Sequence, residues 1–111
     1  MVKRGEIYWI DWGSGKGSEQ SGVRPALIIQ NDMGNEFSPN TIIASLTTAP
    51  NKPYPFLVFF TRAESGLDSD GAADLASIMT ISQARLGKKC GKLNTVKMRE
   101  VNTAIAVSLD I

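Results

Sequence analysis

A chain of 111 residues, 42% hydrophobic and 21% charged, has the proportions of one globular domain, 1–111, able to bury a single core. Twelve Lys and Arg against eleven Asp and Glu leave a formal net charge of +1, so a polyanion must be met by positive charge gathered locally. With no histidine, Ser-His-Asp triads and Cys-His pairs are excluded, and a single cysteine, Cys90, permits neither an internal disulfide nor a cysteine-rich zinc site.

The N-terminal "GEIYWIDW" (5–12) is rich in aromatic and β-branched residues and predicts a strand. Its Glu6 and Asp11 interrupt the apolar core that a signal peptide needs. Residues 13–22, "GSGKGSEQSG", hold four glycines and no large apolar side chain, which predicts a loop. The Gly-Lys-Gly within it lacks the Ser/Thr and the strand-loop-helix context of a phosphate loop. Strands are expected over 25–31, 41–47 and 55–60, with a turn carrying a short helical piece in "NDMGNEFSPN". Turn chemistry around Gly66 and Gly71 accounts for Asp68 and Asp70 better than a metal site does.

Shorter strand-like segments are expected at 71–79 and around 83–86, and the run "GKKCGK" with Lys88, Lys89 and Lys92 reads first as a solvated turn. Past Asn94 the period changes. Met98, Val101, Ile105 and Leu109 recur at three- and four-residue steps, predicting an amphipathic helix that packs on the sheet, with Asn94 or Thr95 as its N-cap. Several short strands followed by one helix indicate an α+β fold, a small antiparallel, barrel-like sheet. The longest apolar runs, such as "FLVFF", are far too short to span a bilayer, so the expectation is a cytoplasmic protein with no membrane partner.

The boundary Arg24-Pro25 joins the glycine loop to the second strand. Proline cannot donate to a sheet ladder and restricts the residue before it, so Arg24 is held at a loop-strand junction. By parity Arg24, Ala26 and Ile28 share one face, as do Thr41, Ile43, Ser45 and Thr47 on the third strand. An antiparallel connection sets the start of the second strand beside the end of the third, bringing Arg24 near Thr47. A forked, permanently charged guanidinium and a hydroxyl suit a phosphate or an oxyanion, by electrostatic stabilisation rather than proton transfer. At this point an anion site and a purely structural strand-start arginine both fit.

The ordered set "VKRGEIYWIDW", "GSEQSGVRPALIIQND" and "TIIASLTT" resembles the MazF/PemK family of toxin ribonucleases, over nearly the whole chain. The resemblance implies an SH3-like barrel with a C-terminal helix, forming a homodimer that holds single-stranded RNA in an interface groove. It implies a metal-independent, cofactor-free endoribonuclease, neutralised by a cognate antitoxin that occupies the same groove. Arg24 matches the family's catalytic arginine and Thr47 its catalytic threonine, while Ser18, Glu19 and Gln20 match residues bordering the substrate. Metal-free RNA cleavage commonly uses the neighbouring 2′-hydroxyl and leaves a 2′,3′-cyclic phosphate, so the protein must position the phosphate and stabilise charge. Glu19 fits either proton transfer or contact with a base.

The segment Ala76–Ser82 departs from the family pattern, with Ser77 at an amide position and Met79 at an arginine position. Ser77 is retained as a substrate-binding candidate, but the family's base preference does not carry over. The alternative on the same fold is a non-enzymatic DNA gyrase poison like the CcdB branch, which "DLAS" (74–77) resembles. That branch uses a C-terminal Trp-Gly-Ile, whereas this chain ends Leu109-Asp110-Ile111. A catalytically silent RNA-binding module is the third reading, for which Met79 is the one hint.

Overall fold

A computed structural model of the protein describes residues 1–13, 22–48 and 52–111. In chain order they form β1 (Glu6–Asp11), β2 (Val23–Ile28), α1 (Asp32–Phe37), β3 (Asn40–Thr48), β4 (Leu57–Phe60), α2 (Arg62–Ser65), β5 (Gly71–Ser82), a 3-10 turn (Gln83–Arg85), β6 (Leu86–Lys92) and α3 (Thr95–Leu109). The strands make one antiparallel sheet in the order β4-β5-β3-β2-β1-β6. This is the small barrel-like α+β fold that the sequence predicts.

Period-two alternation gives the sheet two apolar faces. Leu27, Ile29, Ala44 and Leu46 point to the side that α3 covers with Val101 and Ala104. Ala26, Ile28 and Ile43 point the other way and pack with Ile10 and Ile81. The face assignments read from parity therefore hold on both strands. Asn94 caps α3, its side chain accepting from the Lys97 N–H at 2.9 Å.

The sheet does not close by hydrogen bonds, since β4 and β6 are its two edges. Between them sits α2, opened by a capping box in which Thr61 and Glu64 satisfy each other's backbone N–H groups. It ends at Gly66, which has φ +80° and lies against the Cys90 carbonyl. A Cβ on Gly91 would likewise collide with the Ser65 carbonyl. Glycine at both positions lets the two backbones touch and seal the seam.

Three expectations need correction. Residues 83–85 are a 3-10 turn rather than strand, because Ser82 caps it and Gln83 turns inward to donate to the carbonyls of Asn35 and Ser38. The lysine-rich "GKKCGK" is the body of β6, paired with β1, rather than a turn. Leu109 does not pack into the core; it is 51% exposed in the last turn of α3.

Candidate active site

The site begins with what Pro25 cannot do. β2 pairs with β1 from Val23 to Leu27, through Ile10↔Arg24 and Trp9↔Pro25, but its register with β3 runs only from Ile28↔Ile43 to Ala26↔Ser45. Beyond Ala26 the proline has no N–H to offer, and the β2–β3 ladder stops. Carried two residues further, the same register sets Arg24 opposite Thr47.

The space opened there is a cleft of about 260 Å³. Its lining combines Arg24 and Pro25 of β2, Thr47 and Thr48 of β3, the apolar Phe60 and Leu67, and Ser69 and Asp70 just before β5. Arg24 and Thr47 are both exposed at the ends of their strands. The neighbouring positions are held tightly. Thr47 pairs with Ala72 and Thr48 with Gly71, and a Cβ on Gly71 would lie 2.5 Å from the Thr47 carbonyl and 3.2 Å from the Phe60 ring. Only glycine lets β5 approach this closely.

Of the sequence candidates, Arg24 and Thr47 thus line one cleft. Ser18, Glu19 and Gln20 lie outside the described residues. Ser77 is not brought to the cleft. The β3–β5 register jumps from Ala44↔Ile78 to Ser45↔Asp74, leaving residues 75–77 in a bulge. There the Asp74 carboxylate accepts from the Ala76 N–H and the Ser77 hydroxyl, each at 3.0 Å. Thr48, Phe60, Leu67, Ser69 and Asp70 are among the lining residues that sequence reasoning missed; an aspartate directly before the strand-opening Gly71 was the available signal.

The lysine cluster is a different kind of charged site. Lys89 reaches across from β6 to form an ion pair with Glu6, which is 6% exposed. Glu6 also accepts from the Lys3 N–H at 2.7 Å and the Tyr8 hydroxyl at 3.2 Å. Burial pushes the Glu6 carboxyl up, but its bonds to Lys89, Lys3 and Tyr8 outweigh that and hold it below the usual carboxylate value. Burial and the same carboxylate raise the Tyr8 hydroxyl, and the bond to Glu6 raises Lys89. A second cation is held by a ring: Arg85 lies over Trp12, 5.6 Å from its centroid.

Comparison with known proteins joins these features to a family. Residues 3–109 match the family described as PemK-like, MazF-like toxin of type II toxin-antitoxin system. The chain belongs to that toxin family. The Endoribonuclease MazF of Staphylococcus saprophyticus subsp. saprophyticus is 42% identical over 112 aligned residues, spanning 100% of this chain and 93% of that protein. Among solved structures, an endoribonuclease in complex with its cognate antitoxin from a mycobacterial species superposes with a TM-score of 0.85 at 26% identity, covering 100% of this toxin and 97% of that chain. MazF from Deinococcus radiodurans shares the fold, with a TM-score of 0.79 at 21% identity over 99% of this toxin and 97% of that chain. The gyrase-poison alternative is not favoured by these likenesses.

Proposed function

We propose that the cleft between β2 and β3 is the RNA-cleaving centre of this toxin, with Arg24 and Thr47 as its catalytic residues. The toxin is an endoribonuclease of a type II toxin-antitoxin system, in line with the 42% identical relative named for that activity. The observation that carries the assignment of the centre is the convergence of Arg24 and Thr47 on one exposed cleft at the point where the ladder ends.

In the reaction, the ribose 2′-oxygen forms a bond to the adjacent phosphorus while the bond from phosphorus to the 5′-oxygen breaks. The proton of the 2′-hydroxyl is lost, the departing 5′-oxygen gains one, and a 2′,3′-cyclic phosphate remains. Negative charge accumulates on the non-bridging oxygens in between. A guanidinium at the loop-strand junction supplies forked donors to those oxygens, and the Thr47 hydroxyl supplies one more. Holding the phosphodiester so that the 2′-oxygen lies in line accounts for much of the remaining acceleration. Neither side chain needs to carry the proton.

The substrate is single-stranded RNA, and the natural inhibitor is a cognate antitoxin, as in the mycobacterial complex whose fold matches. We read residues 1–111 as one toxin domain that works as a homodimer in the cytoplasm, needing no metal or other cofactor; among the described residues no helix is long and apolar enough to cross a membrane. The test is cleavage of single-stranded RNA in EDTA, with the new ends mapped chemically. Cyclic-phosphate ends that disappear with Arg24→Ala are the expected result. Cleavage of a substrate carrying a 2′-deoxy sugar at the cut site would overturn the internal-nucleophile step, and loss of activity in EDTA would overturn metal independence.

A further inference from the structure

We propose that Asp70 is the base-reading wall of this cleft, accepting a hydrogen bond from an amino group of the nucleobase beside the scissile phosphate. The proposal rests on the RNA-cleaving reading of Arg24 and Thr47. The lining of the cleft carries a cation, Arg24, and a carboxylate, Asp70, together with the apolar side chains of Phe60 and Leu67. One nucleotide has matching polarity: an anionic phosphate, then a flat base with an apolar face and a polar edge. A phosphate beside Asp70 would be repelled, so the chain must present something other than phosphate there.

Two observations make Asp70 more than a turn residue. Its Oδ1 accepts from the Arg62 N–H at 2.8 Å, which fixes the carboxylate against the start of α2 and leaves Oδ2 as the acceptor for a ligand. It also stands on the divide between the cleft and a second hollow of about 280 Å³, which shares Phe60, Asp70 and Gly71 and continues to Glu64 and Lys97. RNA threading from Arg24 into that hollow passes the carboxylate. Gly71, pressed against the Thr47 carbonyl, fixes the spacing between the hydroxyl and the carboxylate.

A carboxylate can only accept, so it pairs with the amino group of cytosine or adenine or with the N–H edge of guanine. Uracil offers a single N–H flanked by two carbonyl oxygens that the carboxylate repels. The base in this part of the cleft is therefore one that carries an amino group, and uracil is disfavoured there.

The experiment compares the wild-type toxin and Asp70→Asn on a library of single-stranded RNAs randomised around the cut, read by sequencing the ends. Asparagine retains an oxygen for the Arg62 N–H, so α2 keeps its anchor. The wild type is expected to discriminate against uracil by about tenfold or more at one position adjacent to the cut, and Asp70→Asn to lose that discrimination at that position alone. A substrate-side variant needs no altered protein: replacing the preferred base by its deaminated analogue should cost the wild type about tenfold and cost Asp70→Asn little. An unchanged sequence profile in Asp70→Asn, or a fall in rate that is uniform across all sequences, would overturn the proposal and leave the ribonuclease reading standing. If the wild type cuts no RNA, both readings fall together.

Discussion

Two regions of this sheet carry charge in opposite ways. At the β2–β3 end, Arg24 stands exposed where Pro25 stops the ladder, facing a cleft. On the β1–β6 side, Lys89 is committed to Glu6, which is further bonded to Lys3 and Tyr8. By sequence the second region, with Lys88, Lys89 and Lys92 together, reads as a solvated turn, and Arg24 with Thr47 as the candidate anion site. The structure keeps that order: Arg24 lines the cleft, whereas Lys89 lies on β6 against a buried carboxylate. An interrupted ladder matters more than a local count of lysines.

The comparison breaks most sharply at Arg24. Arg24→Ala should lower the rate of RNA cleavage by about 10²- to 10³-fold, with a thermal midpoint close to that of the wild type, measured by single-turnover kinetics and calorimetry. Arg24→Lys should recover little of it, since a point charge lacks the forked donors. Thr47→Val, which removes one hydrogen bond to a charged group, should cost roughly 10- to 100-fold in rate. At the seam between α2 and β6 the pattern should invert. Gly91→Ala places a methyl against the Ser65 carbonyl and should cost about 1–3 kcal/mol in chemical denaturation, while the protein that remains folded cleaves at the wild-type rate.

The smallest effect concerns pH. The Glu6 carboxyl titrates below its unfolded value of 4.5, so its contribution to stability is present above that value and is lost as pH falls through the folded pKa. Glu6→Gln should flatten the acid limb of the stability curve, followed by denaturation midpoints as pH is lowered from neutrality through and below the ordinary carboxylate range. Its cleavage rate at neutral pH should follow the wild type once the folded fraction is matched. Equal losses of cleavage from Glu6→Gln and Arg24→Ala would erase the distinction between the two regions.

Much of the site was legible because local chemistry decided it. Pro25 marked a ladder end, strand parity put Arg24 and Thr47 on one face, and Asn94 announced its helix. The unread parts depend on distant partners. β6 has no apolar alternation, and "GKKCGK" becomes a strand only because β1 lies beside it with Glu6 waiting for Lys89. Residues 75–77 look like uninterrupted strand, and the bulge that moves Ser77 arises from the change of register against β3. Leu109 continues the helical stripe, but it is the last residue of α3 and stays exposed. Ser69 and Asp70 enter the cleft through the approach of β5 to β3, which no local pattern encodes.

Gly71 has a consequence for how this cleft can vary. The separation of Thr47 from Asp70 is set by a side chain that is absent, a spacer of zero thickness between β5 and the Thr47 carbonyl. Substitution at Ser69 or Leu67 can reshape the lining while the gauge stays the same. Any methyl added at position 71 alters the gauge itself, separating the strands and moving the hydroxyl and the carboxylate at once. In such a cleft, new preferences are reached by changing the walls, and the width is the one property that drift through larger side chains cannot tune gradually.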